Sequence, residues 1–234
     1  MIYKIILVTI EAIFPRSHLQ VFLKKISFIE FNIKLTPRVQ HHDNMFYPFY
    51  YKDPFVHDCI FEIKERNSND ATRLFGKILS QWVIKKINEI NALTILNYSS
   101  DKISFESDSI FYLVPVPQHI SKTKEKGFCH TTSLAQSIEV IVKNKYPHIP
   151  ISLFPCVKKI RKTKKLHDTQ GKIKRFSLIK KTMQASVTKE DAKQAYFFII
   201  DDVYTTGATF KEVRRSLSDC VVPTEHMFFI SIAH

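Results

Sequence analysis

Ala195-Tyr196-Phe197-Phe198-Ile199-Ile200-Asp201-Asp202-Val203-Tyr204-Thr205-Thr206-Gly207-Ala208-Thr209-Phe210 is the stretch on which the fold turns. Its apolar opening has the length of a strand and no polar alternation, which fits a central parallel strand covered on both faces. The strand ends in two carboxylates, a hydroxyl-rich turn with one glycine follows, and then a helix begins. Backbone N–H groups from Thr205 to Thr209 then stand at a helix N-terminus, where donors lack partners and the dipole favours an anion. Gly207 lets the backbone approach a phosphate closely, and Thr205, Thr206 and Thr209 add hydroxyl donors. Two carboxylates beside such a cradle repel a phosphate. They are better suited to accepting hydrogen bonds from sugar hydroxyls, or to holding Mg²⁺ through water. The combination reads as a binding site for a ribose 5-phosphate at the open end of a parallel sheet. One Asp would suffice to cap a helix.

The flanking sequence supports this frame. Residues 210–217 read as a helix and 227–233 as a last strand. Residues 110–117 read as a short buried strand whose prolines carry its end out of the sheet centre. A helix over 131–143 and a short strand over 149–157, interrupted by Pro155, follow. Residues 56–96 are helical by their 3.6-residue apolar period, with a polar break at 65–70 that makes Asp70 the N-cap of the second helix. Helices alternating with buried strands predict an α/β fold with a parallel sheet. Residues 1–55 carry no clear motif. The aromatic run 45–51 is expected to pack under the next segment rather than stack on bases, and His41-His42-Asp43 is expected to be a solvated loop for want of further ligands.

At 234 residues, with 44% hydrophobic and 24% charged residues, the chain is neither disordered nor fibrous and buries a core without staples. Lys+Arg number 35 against 22 Asp+Glu, a formal charge of +13 that suits polyanions. Eleven of the cations fall in residues 158–181, against the single acid Asp168. The four cysteines, Cys59, Cys129, Cys156 and Cys220, form no CxxC pair. They fit a reduced, cytoplasmic setting. The apolar start, residues 1–10, is short, is ended by Glu11 and lacks a cleavage site, so it reads as a buried strand or helix start rather than a signal peptide. No run reaches the length of a membrane span.

The string Asp201 to Thr209 resembles the phosphoribosyl pyrophosphate (PRPP) motif of type I phosphoribosyltransferases, with Tyr204 where an aliphatic residue is usual. The resemblance implies that Asp201 and Asp202 bind the ribose hydroxyls, and that Thr205, Thr206, Gly207, Ala208 and Thr209 bind the 5-phosphate. Three further segments are similar to the ComF (competence protein F-like) family. Val114-Pro115-Val116-Pro117, followed by Lys126-Gly127-Phe128, resembles its VPVP…RGFN segment, with Cys129-His130 in place of Asn-Gln. Thr169-Gln170-Gly171-Lys172 with Arg175-Phe176 resembles its TQ-x-K-x-x-RF loop, with Leu178 and Lys181 where Arg and Asn are usual. Residues 51–82 resemble its helical hood, Lys64 standing for the hood lysine. The family's N-terminal four-cysteine zinc finger has no counterpart. The implied architecture is a type I phosphoribosyltransferase-like parallel sheet flanked by helices. Residues 1–55 are then an extension and 56–234 the transferase-like domain, with the hood at 56–100 and the core at 110–234.

The implied activity is transfer of ribose 5-phosphate from PRPP to an unidentified nitrogen acceptor, a base or other amine, with release of pyrophosphate. Mg²⁺ is the implied cofactor, held by Asp201 and Asp202 indirectly, through water and substrate. The leaving pyrophosphate gains charge that cations must stabilise. Arg161, Lys162, Lys172 and Arg175 are the candidates, Gln170 is a positioning group, and Val116 and Pro117 belong to the pyrophosphate turn. Lys122 or Lys124 is a further candidate for the same anion. His119 and His130 flank the site as candidate acids or bases, and Cys129 as a nucleophile. The rival expectation is a catalytically reduced module that binds PRPP or single-stranded nucleic acid, the latter through the basic loop 158–181, in DNA uptake or processing. The departures at Cys129-His130, Leu178 and Lys181 favour that rival. A homodimer completes the expectations.

Overall fold

The computed structural model describes residues 40–42, 44–97, 109–161 and 179–234. The elements in chain order are β1 (Gln40–His42), β2 (Met45–Tyr47), α1 (Pro54–Arg66), α2 (Asn69–Asn97), β3 (Ile110–Pro115), α3 (Ile120–Lys126), α4 (His130–Lys145), β4 (Ile151–Leu153), β5 (Val157–Lys159), β6 (Met183–Ala185), α5 (Lys189–Gln194), β7 (Ala195–Ile200), α6 (Ala208–Ser218) and β8 (Met227–Ile230). The main sheet runs β1-β2-β8-β7-β3-β4. Its strands from β2 to β4 are parallel, and β1 joins β2 antiparallel. The fold is therefore α/β, a five-stranded parallel sheet flanked by helices.

Strand β7 coincides with the apolar run, and its alternation is between two cores rather than core and solvent. Phe198 and Ile200 face a cluster that includes Phe75 and Leu79 of α2 and Leu134 and Ile138 of α4. Phe197 and Ile199 face one that includes Phe210, Val213 and Leu217 of α6. The chain leaves β3 through α4 to β4 on one side, and leaves β7 through α6 to β8 on the other. The direction of winding reverses between β3 and β7, and a crevice opens at such a point beyond the strands' C-terminal ends. Pro115 is the last β3 residue in register, opposite Ile200. Val116 then donates to the Ile200 carbonyl at 2.9 Å, so the Val116–Pro117 turn runs alongside the end of β7.

Helices α1 and α2 occupy the segment read as helical, with one correction. Asp53 caps α1, its Oδ1 accepting from the amides of Phe55 and Val56 at 2.9 and 3.1 Å. Asn67 ends the helix in the left-handed region, φ 48°. The N-cap role at α2 belongs to Ser68 and not to Asp70. The Ser68 carbonyl accepts from Thr72 N at 3.0 Å and its Oγ from Ala71 N at 3.4 Å, while Asp70 sits inside the first turn.

Two further differences follow from pairing partners distant in sequence. The single strand expected over 149–157 is replaced by β4 in the main sheet and by β5, which begins at Val157 and pairs antiparallel with β6 in a separate ribbon. Met45–Tyr47 is a strand of the main sheet beside β8, so the sheet reaches into the segment set aside as an extension. The aromatic run does pack: Phe46 stacks on Trp82 of α2 at 4.8 Å, and Phe49 meets Phe75 edge to face. His41 and His42 lie in β1, and Asp43 is outside the described residues. Among the described residues, no helix is long and apolar enough to cross a membrane.

Candidate functional site

The C-terminal ends of β3 and β7 bring together the Asp201–Thr209 segment, the Val116–Gln118 turn, the start of α4 and the last turn of α1. Asp201 continues β7, its amide donating to the Ile230 carbonyl at 2.9 Å. The pair itself is buried, Asp201 9% and Asp202 5% exposed. Asp202 N donates to Asp201 Oδ1 at 2.9 Å, and Val203 N to Asp202 Oδ1 at 2.8 Å. On the other oxygen, Asp202 Oδ2 faces Lys64 Nζ at 2.5 Å and His130 Nε2 at 3.2 Å. Gln118 Nε2 contacts His130 Nδ1 in turn and holds the ring beside Asp202.

These surroundings separate two chemically identical groups. Burial, reinforced by the Asp202 charge, pushes the Asp201 carboxyl well above the usual carboxylate range. Burial acts on Asp202 as well, but the Lys64 ammonium and the His130 contact outweigh it and hold that carboxyl well below the range. Lys64 answers in kind: the Asp202 charge outweighs the desolvation of its ammonium and raises it.

The bend after the acids is built as the sequence predicts. Gly207 has φ +74° and forms the N-cap of α6 without a side-chain bond to the helix. The first helical bond is Lys211 N to the Gly207 carbonyl at 2.9 Å, and among the described residues no group accepts from the amides of Thr205 to Phe210. Ala208 is buried, Thr206 and Thr209 are half-buried and Thr205 is exposed. Tyr204 fills the space beneath the bend, stacked on Tyr47 at 5.7 Å, His234 at 5.3 Å and Phe210 at 5.5 Å.

The opposite wall is the turn after β3. Thr131 Oγ1 donates to the Val116 carbonyl at 2.7 Å and pins that turn to the start of α4. Cys129 caps α4, its Sγ 3.2 Å from Thr131 Oγ1. Burial would raise this thiol, but hydrogen bonds from Thr131 and Thr132 outweigh it and lower it. His119 is spent on structure: its Nδ1 accepts from Ser121 N at 3.2 Å at the start of α3.

Of the candidate cations, Arg161 is exposed at the end of the β5 ribbon. Lys162, Gln170, Lys172, Arg175 and Leu178 lie outside the described residues, and Lys181 is exposed with φ 58°. Lys122 and Lys124 are exposed on α3. A cation the sequence did not single out is Lys159 of β5. A bridge between Lys159 and His119 brings it against the turn. Its ammonium is lowered by burial and by Lys122, with Asp201 acting in the opposite sense. The charge run hid it; the useful signal was Val157 buried, Lys158 exposed and Lys159 half-buried, a strand's alternation.

Donor atoms of His130, Asp201 and Asp202 lie within 4.8 Å of one another. This set does not suit Mg²⁺ bound directly, because Mg²⁺ takes oxygen and water ligands in strict geometry and the Lys64 ammonium already stands on Asp202 Oδ2. No family model matches the chain, and a search of curated proteins finds no match.

Proposed function

We propose that the chain is a PRPP-binding phosphoribosyltransferase with a type I transferase-like fold of the ComF kind. The observation that supports this best is the conjunction at the end of β7: a buried acidic pair, then a left-handed glycine, then a run of backbone amides with no described acceptor. In this reading the amides of Thr205 to Thr209 take the 5-phosphate at the positive end of α6. The acidic pair meets the ribose hydroxyls. The Val116–Pro117 turn, with Lys122 and Lys159 beside it, takes the pyrophosphate. Cations held there favour the departing anion more than the bound substrate, which is what lowers a barrier. Mg²⁺ brought by the substrate would add charge neutralisation on the same oxygens. The acceptor nitrogen would enter from the hood side, over α1.

Calorimetry with PRPP and Mg²⁺ tests the reading: wild type is expected to bind, and Asp201→Asn to bind at least ~10-fold more weakly. Equal heats for the two proteins would refute the site. Pyrophosphate release with a panel of bases then tests catalysis. Exposed Lys158, Arg161, Lys180 and Lys181 at the ribbon ends favour a second reading, electrostatic binding of single-stranded nucleic acid. Salt-sensitive gel shifts without pyrophosphate release would select it.

A further inference from the structure

One turn into α6, Glu212 is buried. Burial would raise its carboxyl, but hydrogen bonds from Arg215 and from backbone amides outweigh it and hold the group below its usual range. Arg215 Nε donates to Glu212 Oε2 at 3.0 Å and Nη2 to Oε1 at 2.8 Å. The same Oε1 accepts the amides of Thr182 at 2.9 Å and Met183 at 3.2 Å. Lys181 just before them has φ 58°, and such a bend aims successive amides at one point, a concavity that suits an anion. Glu212 fills it. Arg215 Nη2 also reaches the Met183 carbonyl at 2.7 Å. A ribbon of two strands leaves such outward N–H and C=O groups without a third strand, and at Met183 both are taken up by α6.

The ribbon held in this way carries a cation to the site. Met183 stands opposite Lys159 in the β5–β6 register, and the Ile160 amide donates to the Thr182 carbonyl at 2.8 Å. Lys159 in turn bridges to His119, beside the Val116–Pro117 turn. Val157 and Met183 pack in one core with Phe210, Val213 and Leu217 of α6. Apolar burial is non-directional, whereas the carboxylate and the guanidinium fix where along α6 the ribbon sits.

We infer, resting on the phosphoribosyl-transfer reading above, that Glu212 is a positioning residue for the pyrophosphate end of the site: α6 offers its first amides to the 5-phosphate and, a turn later, a carboxylate that fixes the ribbon bearing Lys159. The spacing between the two anion-holding points is then set by a single helix. A displacement of about 1 Å is enough to cost a positioned group much of its effect.

The test titrates the full chain, with Mg²⁺, against two ligands that share a 5-phosphate and differ in the pyrophosphate, PRPP and ribose 5-phosphate. Wild type is expected to bind PRPP at least ~10-fold more tightly. Lys159→Met is expected to remove most of that preference. Glu212→Met is expected to weaken PRPP about tenfold and ribose 5-phosphate less than about twofold. Glu212→Gln, which keeps an oxygen for the two amides, is expected to recover most of the loss. Arg215→Met, which leaves Glu212 in place should Glu212→Met fail to fold, is expected to show the same selective loss at a few-fold. Glu212→Met combined with Lys159→Met is expected to bind PRPP no more weakly than Lys159→Met alone, because a residue that acts through another then has nothing to act on. If Glu212→Met keeps the preference, weakens both ligands equally, or adds its full loss to that of Lys159→Met, the positioning role is overturned and the phosphoribosyl site still stands. Wild type that binds both ligands alike overturns the role of Lys159 and of Glu212 behind it. Wild type that binds neither overturns the phosphoribosyl reading itself.

Discussion

The Tyr204 hydroxyl lies 2.7 Å from the position a Cβ on Gly207 would occupy, with two ring carbons at 3.1 Å. Gly207 is thus required twice, by its φ of +74° and by the aromatic ring beneath it. Gly207→Ala is expected to weaken PRPP binding by at least ~10-fold, with a loss of stability of about 1–2 kcal/mol for the strained backbone. Adding Tyr204→Leu is expected to return the part due to collision and not the part due to φ. Calorimetry on both variants separates the two.

The acidic pair sets opposite pH limits. Asp201 is raised in the fold, so the stability it contributes is present at low pH and lost as pH climbs through its folded value. Asp202 is lowered, so its contribution is present above the ordinary Asp value and lost as pH falls through its folded value. Asp201→Asn is therefore expected to raise the melting temperature on the alkaline side, and Asp202→Asn to lower it at neutral pH. A shift of 1 kcal/mol corresponds to about 2–4 °C at this chain length. Melting curves from pH 4 to 9 check both signs.

The cysteines should separate by reactivity. Burial pushes the thiols of Cys59 and Cys156 up to about 12, whereas hydrogen bonds lower that of Cys129. Because the thiolate is the reacting species, Cys129 is expected to take up iodoacetamide at pH 7.5 more than ~10-fold faster than Cys59 or Cys156. PRPP with Mg²⁺ is expected to slow it. Timed alkylation with peptide mapping reads both effects.

Helices α2 and α4 meet through a glycine. A Cβ on Gly76 would stand 2.8 Å from Ser137 Cβ. Gly76→Ala is expected to cost about 1–3 kcal/mol through overpacking, more than the gain in helix propensity of ~1 kcal/mol. Adding Ser137→Gly is expected to remove much of that penalty, read as a shift in urea midpoint.

What the sequence disclosed and what it withheld have a common cause. Strand β7 and the Gly207 bend are local: apolar length, the acids and the glycine lie in one window, so both were legible. The inequality of Asp201 and Asp202 was not, because it is imposed by Lys64 and His130, each far from β7 in the chain. Strand β2 was hidden for the same reason. Its aromatic residues announce burial, but its partner β8 lies at the opposite end of the sequence. The β5–β6 ribbon was masked by the charge run, where lysines obscure the alternation. Its anchor is Glu212 of α6, whose Oε1 accepts the amides of Thr182 at 2.9 Å and Met183 at 3.2 Å.

Placing β2 beside β8 also bears on how the protein can be trimmed. Phe229 N donates to the Asn44 carbonyl at 2.8 Å and Ser231 N to the Phe46 carbonyl at 2.9 Å. A clone begun at residue 56 strips away those acceptors and leaves a bare, greasy β8 rim, the kind of surface on which chains stick to one another. Any shortened version meant to stay in solution should retain everything from residue 40 onward.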